Sequence, residues 1–510
     1  MSTPRLFRSA GIISLGTLAS RILGLVREIM MARVFGTSVV ASGFFVAFTI
    51  PNLFRRLFGE GALSAAFIPA YVRSRDQEGP EAGWRLFRNL LSLVLILLGG
   101  ISLAGMAAAT LILEYARPAG RVVDILLPLR IMLPYMVWIC MAALVMGVLN
   151  SHRRYTVSAL TPCLLNVVWI LALIGVQRHP GMAPEIKVLW ISWSILIAGV
   201  LQFGVQLPVL RKLHYRAPSE VHPLGPGVRR VMIKMGPAAL GAAVTQLNVL
   251  LDRFLAMWAG PYGPAALSFA ERLIYLPLGL FATALGTILL PEMSALAHRK
   301  ETESLGGTVE QSLRGLLYLM VPAAVGLGIL ATPIVTMVYA RGEFDADSVT
   351  HTARALMFYA PGLVVFSLAK VFVPVFYAHQ DTRTPVKVGL VTVSGNIVLS
   401  ILFVILLPEG WKHAGLALGT VIAELAQVVL LARLMHRRYV RPRWGRVFLA
   451  GGKHLLAALP MIATAQGVLT QLPNLPLLLS LPLAIGAAGL VYLAATLLLR
   501  CREPGEFRHR

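Results

Sequence analysis

The chain has 510 residues, 57% apolar and 14% charged, and a mean hydropathy of +0.74, so most of it cannot face water. Three widely spaced cysteines, Cys140, Cys163 and Cys501, offer neither a disulfide framework nor a CxxC metal pair, which argues against redox and zinc chemistry. The 46 Lys+Arg against 23 Asp+Glu give +23; in a polytopic protein that excess is a topology signal before it is a nucleic-acid signal.

Apolar segments near the ~20 residues of a bilayer crossing lie at 10–34, 39–70, 89–113, 125–150, 156–177, 187–210, 231–259, 264–296, 312–339, 350–378, 385–407, 413–435, 448–470 and 477–499. They predict an all-α, polytopic membrane protein with about fourteen transmembrane helices and no soluble domain. The first segment follows Arg5 and Arg8, holds arginines itself and lacks a small-residue cleavage site, so it reads as a retained helix and not a signal peptide. Sorting the connections alternately puts thirty Lys/Arg on one side and only Arg117, Arg121, Arg178, Lys187, Arg341 and Lys412 on the other. By the positive-inside rule both termini are cytoplasmic. The positive balance is thereby assigned to topology and lipid headgroups, with no nucleic acid as partner.

Ten basic residues remain inside predicted spans: Arg21, Arg27, Arg33, Arg55, Arg56, Arg130, Arg253, Arg272, Arg354 and Lys370. A cation at the bilayer centre costs at least ~2.5–3.5 kcal/mol, so it faces a partner or a wet cavity. Arg56 has Glu60 one turn on and Arg253 has Asp252 beside it, while Arg33, Arg130 and Arg354 sit near span ends and can snorkel. Arg21, Arg27, Arg55 and Arg272 have no such simple account. Arg21 and Glu28 share a helix face with Gly24 between them, and Arg27 reaches the same space only through its length. Arg55 is flanked at helical spacing by Asn52 and Gly59, and Arg272 by Tyr275 and Gly279, with Glu271 adjacent. Together they describe an aqueous cationic cavity, and arginine's planar fork suits the oxygens of a phosphate or diphosphate.

An internal duplication is also visible. The first helix ends REIMMARVFG and the seventh LDRFLAMWAG, placing Glu28 and Asp252 eight residues before Gly36 and Gly260; Pro69 and Pro291 follow in the next helices. The expected organisation is an amino-terminal lobe over 1–220 with helices 1–6, a second lobe over 221–436 with helices 7–12, and 437–510 with helices 13–14 and a tail. Repeated bundles around a site are a transporter's architecture, and Gly24, Pro51, Pro237 and Pro277 supply hinge points. A membrane-embedded glycosyl- or phosphotransferase, the competing class, needs an acid/base or metal cluster, and no HExxH grouping is present.

The stretches SRILGLVREIMMARVFG (20–36), FFVAFTIPNLFRRLFGEGALSAAFIP (44–69), ERLIYLPLGLFATALGTILLP (271–291) and FYAHQDTRTPVKVG (376–389) resemble the bacterial lipid II flippase family MurJ, also called MviN, of the multidrug/oligosaccharidyl-lipid/polysaccharide exporter superfamily. The resemblance covers essentially the whole chain. It implies a transporter of the inner membrane, without catalytic residues, that exports the undecaprenyl-diphosphate-linked peptidoglycan precursor, lipid II, and makes cell-wall synthesis or division machinery a candidate partner. It implies that Arg21, Arg27, Arg55 and Arg272 line the central cavity, to which helical spacing adds Glu28 and Asn52 as substrate-binding candidates, and that the helices over 448–499 form a groove for the polyprenyl tail. Asp252, Asn396 and Thr420 resemble ligands of a sodium site found in some members, making sodium the one candidate cofactor. Asp252 is equally placed to pair with Arg253. The chain departs from the pattern at Ser42, where some members carry aspartate, and at Ser400, where a further acidic sodium ligand falls. The alternatives within transporters are exporters of other polyprenyl-linked glycans or of drugs; a drug exporter wants acids and aromatics in its cavity, and four arginines argue against it.

Overall fold

The structure, a computed structural model, describes residues 3–118, 120–213, 215, 221–501 and 503. All regular structure among them is helical, and the chain divides into two compact units, Met1–Met257 and Trp258–Arg510.

The first unit contains α1 (Thr3–Phe35), α2 (Val39–Phe54), α3 (Ala62–Glu78), α4 (Pro80–Leu111), α5 (Arg121–Met132), α6 (Tyr135–Ser151), α7 (Tyr155–Gln177), α8 (Pro184–Gly204), the short α9 (Leu207–Arg211) and α10 (Pro226–Ala259). Gly36, at φ 55°, ends α1, and the Ser38 side chain accepts the Ala41 N–H to start α2. The run α6, apolar on every face, is buried along nearly its whole length. Around it α1 packs on α7 and α2 on α5, with α8 against both α6 and α7. Small residues set these distances: a Cβ on Gly16 would stand 2.6 Å from the Ala159 carbonyl oxygen, and one on Gly43 would stand 2.5 Å from that of Asp124. In hydrocarbon, where burial against lipid gains nothing, such close backbone approach is what drives helix association.

The second unit contains α11 (Gly263–Pro277), α12 (Thr283–His298), α13 (Thr302–Ile329), α14 (Ala331–Tyr339), α15 (Ala346–Tyr359), α16 (Gly362–Ala378), α17 (Arg383–Leu406), α18 (Lys412–Arg438), α19 (Trp444–Gln471) and α20 (Leu477–Leu498). The tightest pairs are α17 with α18 and α19 with α20, and α19 also packs on α13. Along α17 the residues Val391, Val398 and Ile405 are exposed at seven-residue spacing, whereas Thr392, Asn396 and Ser400 are buried. An apolar outside and a polar inside are the reverse of a soluble helix and mark a lipid-facing stripe.

Each unit has a helix broken in the same way. Four residues after Pro51, α2 passes into α3 through a π-helical turn, Arg55–Gly61; directly after Pro277, α11 passes into α12 through another, Leu278–Ala282. Proline removes one i→i−4 hydrogen bond and crowds the preceding turn, and widening the next turn absorbs the displacement. The turns begin nineteen residues beyond Gly36 and eighteen beyond Gly260.

Every predicted segment falls on helix. Among the described residues nine helices are long and apolar enough to cross a membrane, and the bent pairs α5–α6 and α15–α16, each at 41°, raise this to eleven. The chain is an all-α, multi-pass membrane protein, but these spans do not establish the predicted total of fourteen. The segments outside the set are α1, the α2–α3 run and α10, each of which contains side chains outside the described residues.

Candidate functional site

Arg27 is held by three partners. Its Nη2 donates to Glu28 Oε1 at 2.5 Å and its Nη1 to Asn166 Oδ1 at 3.0 Å, while its guanidinium carbon lies 4.3 Å above the Trp169 ring. Asn166 and Trp169 are one turn apart on α7, the helix that packs against α1. Asn166 donates its amide to the Ser20 carbonyl at 3.1 Å, and Trp169 donates to Met31 Sδ at 3.4 Å with Phe44 and Phe48 edge-on to its ring. Glu28 is buried, so this is a charge pair removed from water and held by a π face and an amide.

The sequence reading placed Glu28 with Arg21 across Gly24; in the structure Glu28 bonds Arg27, its neighbour. Adjacent helical positions diverge by ~100°, but the arginine stem is long enough to fold back over its own helix. Arg21 is exposed and lines a cavity of about 300 Å³ with Thr17, Ser20 and Asn150, between α1, α6 and α7. Ser20 is thus shared by the Arg21 cavity and the Arg27 network.

Arg55 opens the first π-helical turn, and its Nε donates to Asn52 Oδ1 at 2.8 Å. The wider turn separates Arg55 from the regular helical register of its successors. The expected partner of Arg56, Glu60, has a side chain outside the described residues, as do Gly59 and Pro237; Arg56 reaches Gln246 at 3.5 Å.

In the second unit Arg272 is half-buried on α11 and Tyr275 is exposed. Its neighbour Glu271 accepts from the Tyr359 hydroxyl at 3.0 Å, tying α11 to α15. Asn396 and Ser400 are buried on α17, and Thr420, on the adjacent α18, donates to the Leu416 carbonyl at 3.0 Å. Asp252 belongs to the first unit, where Asn248, one turn earlier, donates to it at 3.4 Å.

Two residues of the Arg27 network, Asn166 and Trp169, were not singled out in the sequence. The available signal was Asn166 itself, a lone amide within TPCLLNVVWIL, which in an apolar helix requires a partner. Arg354, expected to snorkel, instead donates to the Gly410 carbonyl at 2.9 Å and lies 4.5 Å over Trp411.

The sequence profile of the family described as lipid II flippase MurJ matches residues 31–482. A lipid II flippase MurJ from Burkholderia cenocepacia is 36% identical over 469 residues, 89% of this chain and 89% of its own. A solved structure described as lipid II flippase MurJ, inward closed conformation, is similar with a TM-score of 0.77 over 96% of this chain and 98% of its own; at 24% identity it bears on the fold alone. A multidrug resistance MATE family transporter of the MOP superfamily, in an inward-facing conformation, reaches 0.67 over 82% of this chain and 94% of its own, at 16% identity, and again bears on fold. The profile match over most of the length, with a relative 36% identical across nearly all of it, shows that the chain belongs to the lipid II flippase family MurJ.

Proposed function

We propose that this chain is a transporter, not an enzyme, that moves lipid II from the cytoplasmic to the periplasmic leaflet of the inner membrane by alternating access. The observation that carries the reading is family membership over residues 31–482. The site chemistry supports it: Arg21, Arg27 and Arg55 in one unit and Arg272 in the other are the cations for the diphosphate, with Glu28 and Asn52 fixing Arg27 and Arg55. A diphosphate presents several acceptor oxygens, and guanidinium forks satisfy them in pairs.

The charge asymmetry of the connections supports cytoplasmic termini, and the internal duplication supports lobes at 1–220 and 221–436 with a carboxy-terminal pair and tail over 437–510. Fourteen crossings agree with both. Asp252, Asn396 and Thr420 are proposed sodium ligands, and cell-wall synthesis or division machinery a proposed partner.

The test is orientation-sensitive labelling of the polyprenyl-diphosphate precursor in cells depleted of this protein and complemented with variants. Wild type restores labelling at the outer leaflet; Arg27→Lys and Arg272→Lys, equally abundant in the membrane, restore it incompletely. Full restoration by both lysine variants would sink fork recognition, and normal labelling after depletion would sink the function.

A further inference from the structure

A second cationic cavity lies entirely within the first unit, away from Arg27. It is a groove of about 1110 Å³ between the end of α3, the start of α4, the start of α10 and the segment leading into α10. Four basic side chains converge on it: Arg73 from α3, Arg85 from α4, and Arg230 and Lys234 from α10. Among the described residues no hydrogen bond or ion pair engages any of the four. The one acid in the lining, Glu78, already accepts from Ser74 at 3.4 Å.

The groove is built, not incidental. The His222 backbone N–H donates to Asn89 Oδ1 at 3.0 Å, pinning the segment before α10 onto α4, and a Cβ on Gly227 would stand 3.1 Å from Leu86, so the start of α10 rests closely on α4. Arg230 and Lys234 are one turn apart, a like-charge spacing that disfavours the helix unless an anion sits between them. On the other side the lining turns apolar, with Pro69, Leu93, Ile96 and Val231. Ile96 is 63% exposed and is followed along α4 by the exposed Leu97, Ile101 and Leu103, so the apolar wall continues without a break along a helix that spans the membrane.

A ligand that satisfies both walls has a compact anionic head and an apolar tail. We propose that this groove binds an anionic phospholipid, its phosphate held by Arg73, Arg85, Arg230 and Lys234 and its acyl chains lying along Leu93 and Ile96. Placing it in the cytoplasmic leaflet rests on the orientation proposed above; the binding does not. Such a site fastens the α3–α4 connection and the start of α10 to the headgroup layer, giving the bilayer's anionic lipid content a direct hold on one end of two long helices.

The test uses the purified full-length chain in phosphatidylcholine nanodiscs doped with phosphatidylglycerol, with the retained lipid read by native mass spectrometry. Each cation near an anionic surface contributes about fivefold to binding, so Arg230→Gln with Lys234→Gln should lower phosphatidylglycerol retention about 25-fold. A charge-matched control on the same side, Arg153→Gln with Arg154→Gln, should leave it unchanged. Ile96→Ala, which trims the apolar wall without putting a polar side chain into hydrocarbon, should weaken retention while keeping the cations. Equal loss in the control pair, or none in the groove pair, overturns the proposal. So does displacement of the phospholipid by inorganic phosphate alone, which would make the groove a free-anion site. Displacement by a polyprenyl diphosphate whose own binding the groove pair abolishes would place it on the cargo path and overturn it too. Retention is read without transport, so its outcome is independent of whether the protein flips lipid II.

Discussion

Glu28→Gln is the most informative single change, because it removes the carboxylate that occupies one arm of Arg27 and leaves the rest of the network in place. The side chains of Arg27 and Glu28 are 12% and 9% exposed, so the pair lies between a surface bridge and a fully buried one. Breaking a buried pair by deleting one partner costs ~3–5 kcal/mol; glutamine keeps an acceptor oxygen and Trp169 and Asn166 still hold the cation, so a loss of about 2–3 kcal/mol is expected. At about 2 °C per kcal/mol for a chain of this size, thermal unfolding in detergent, followed by tryptophan fluorescence, should fall by about 4–6 °C. Arg27→Gln should cost as much or more, since it strands a buried carboxylate. The double change should cost less than the sum by about 2 kcal/mol, because neither charge is then left alone. Function should move oppositely to stability: with Nη2 released from an intramolecular anion, affinity for a short polyprenyl diphosphate should rise about tenfold or more, the worth of one charge-assisted hydrogen bond. Additive losses in the cycle would show that the pair is not coupled, and an unchanged diphosphate affinity would show that Glu28 does not compete for Arg27.

Asp381 organises the FYAHQDTRTPVKVG stretch: Oδ1 accepts the Thr384 N–H at 2.9 Å at the start of α17, and Oδ2 accepts the Tyr439 hydroxyl at 3.0 Å beyond the end of α18. Partial burial alone would raise its carboxyl, but the hydrogen bonds from Thr384 and Tyr439 hold it below the ordinary carboxylate range. A depressed carboxylate stabilises above its unfolded-state pKa, and that contribution fades as pH falls through the lower, folded value. Asp381→Ala should therefore cost about 2 kcal/mol near neutral pH, and the difference from wild type in thermal unfolding should shrink as the pH is lowered below ~4. For Asp252, sodium should raise the unfolding temperature of the purified protein, and Asp252→Asn should remove that rise. A sodium effect that survives excludes Asp252 as a ligand, and recovery of the single variant's lost stability by Asp252→Asn with Arg253→Gln identifies a charge pair instead.

Much of the fold was legible because a bilayer enforces it. Apolar length and the alternation of Lys and Arg between connections have no other cheap explanation, and Pro51 and Pro277 marked the neighbourhood of the π-helical turns Arg55–Gly61 and Leu278–Ala282. The pairings were less legible. Asn52 with Arg55 could be read from helical spacing, but Arg27 meets Asn166 139 residues away in the chain, and no local pattern encodes a contact between α1 and α7. Counting charges by side of the membrane also hid structure. Arg314 enters that count as a loop cation, yet it is buried, with its Nε 2.7 Å from Glu503 and its Nη1 3.7 Å from Glu310.

The basic residues thus fall into kinds that composition cannot separate but partners can. Arg314 is closed off by two carboxylates and holds the chain beyond α20 to α13, so its charge is spent on structure. Arg73, Arg85, Arg230 and Lys234 face open space with an apolar wall beside them. Arg27 stands between these kinds: one arm is held by Glu28, one by Asn166, and its buried Nε has no hydrogen-bond partner among the described residues. A cation that binds and releases a dianionic cargo cannot be fully satisfied, or it would not bind, nor wholly free, or it would cost too much in the membrane once the cargo has left. On the cargo-binding role proposed for Arg27, Glu28 would meet both conditions, as a resident anion that holds the guanidinium between cargoes and gives way to a diphosphate.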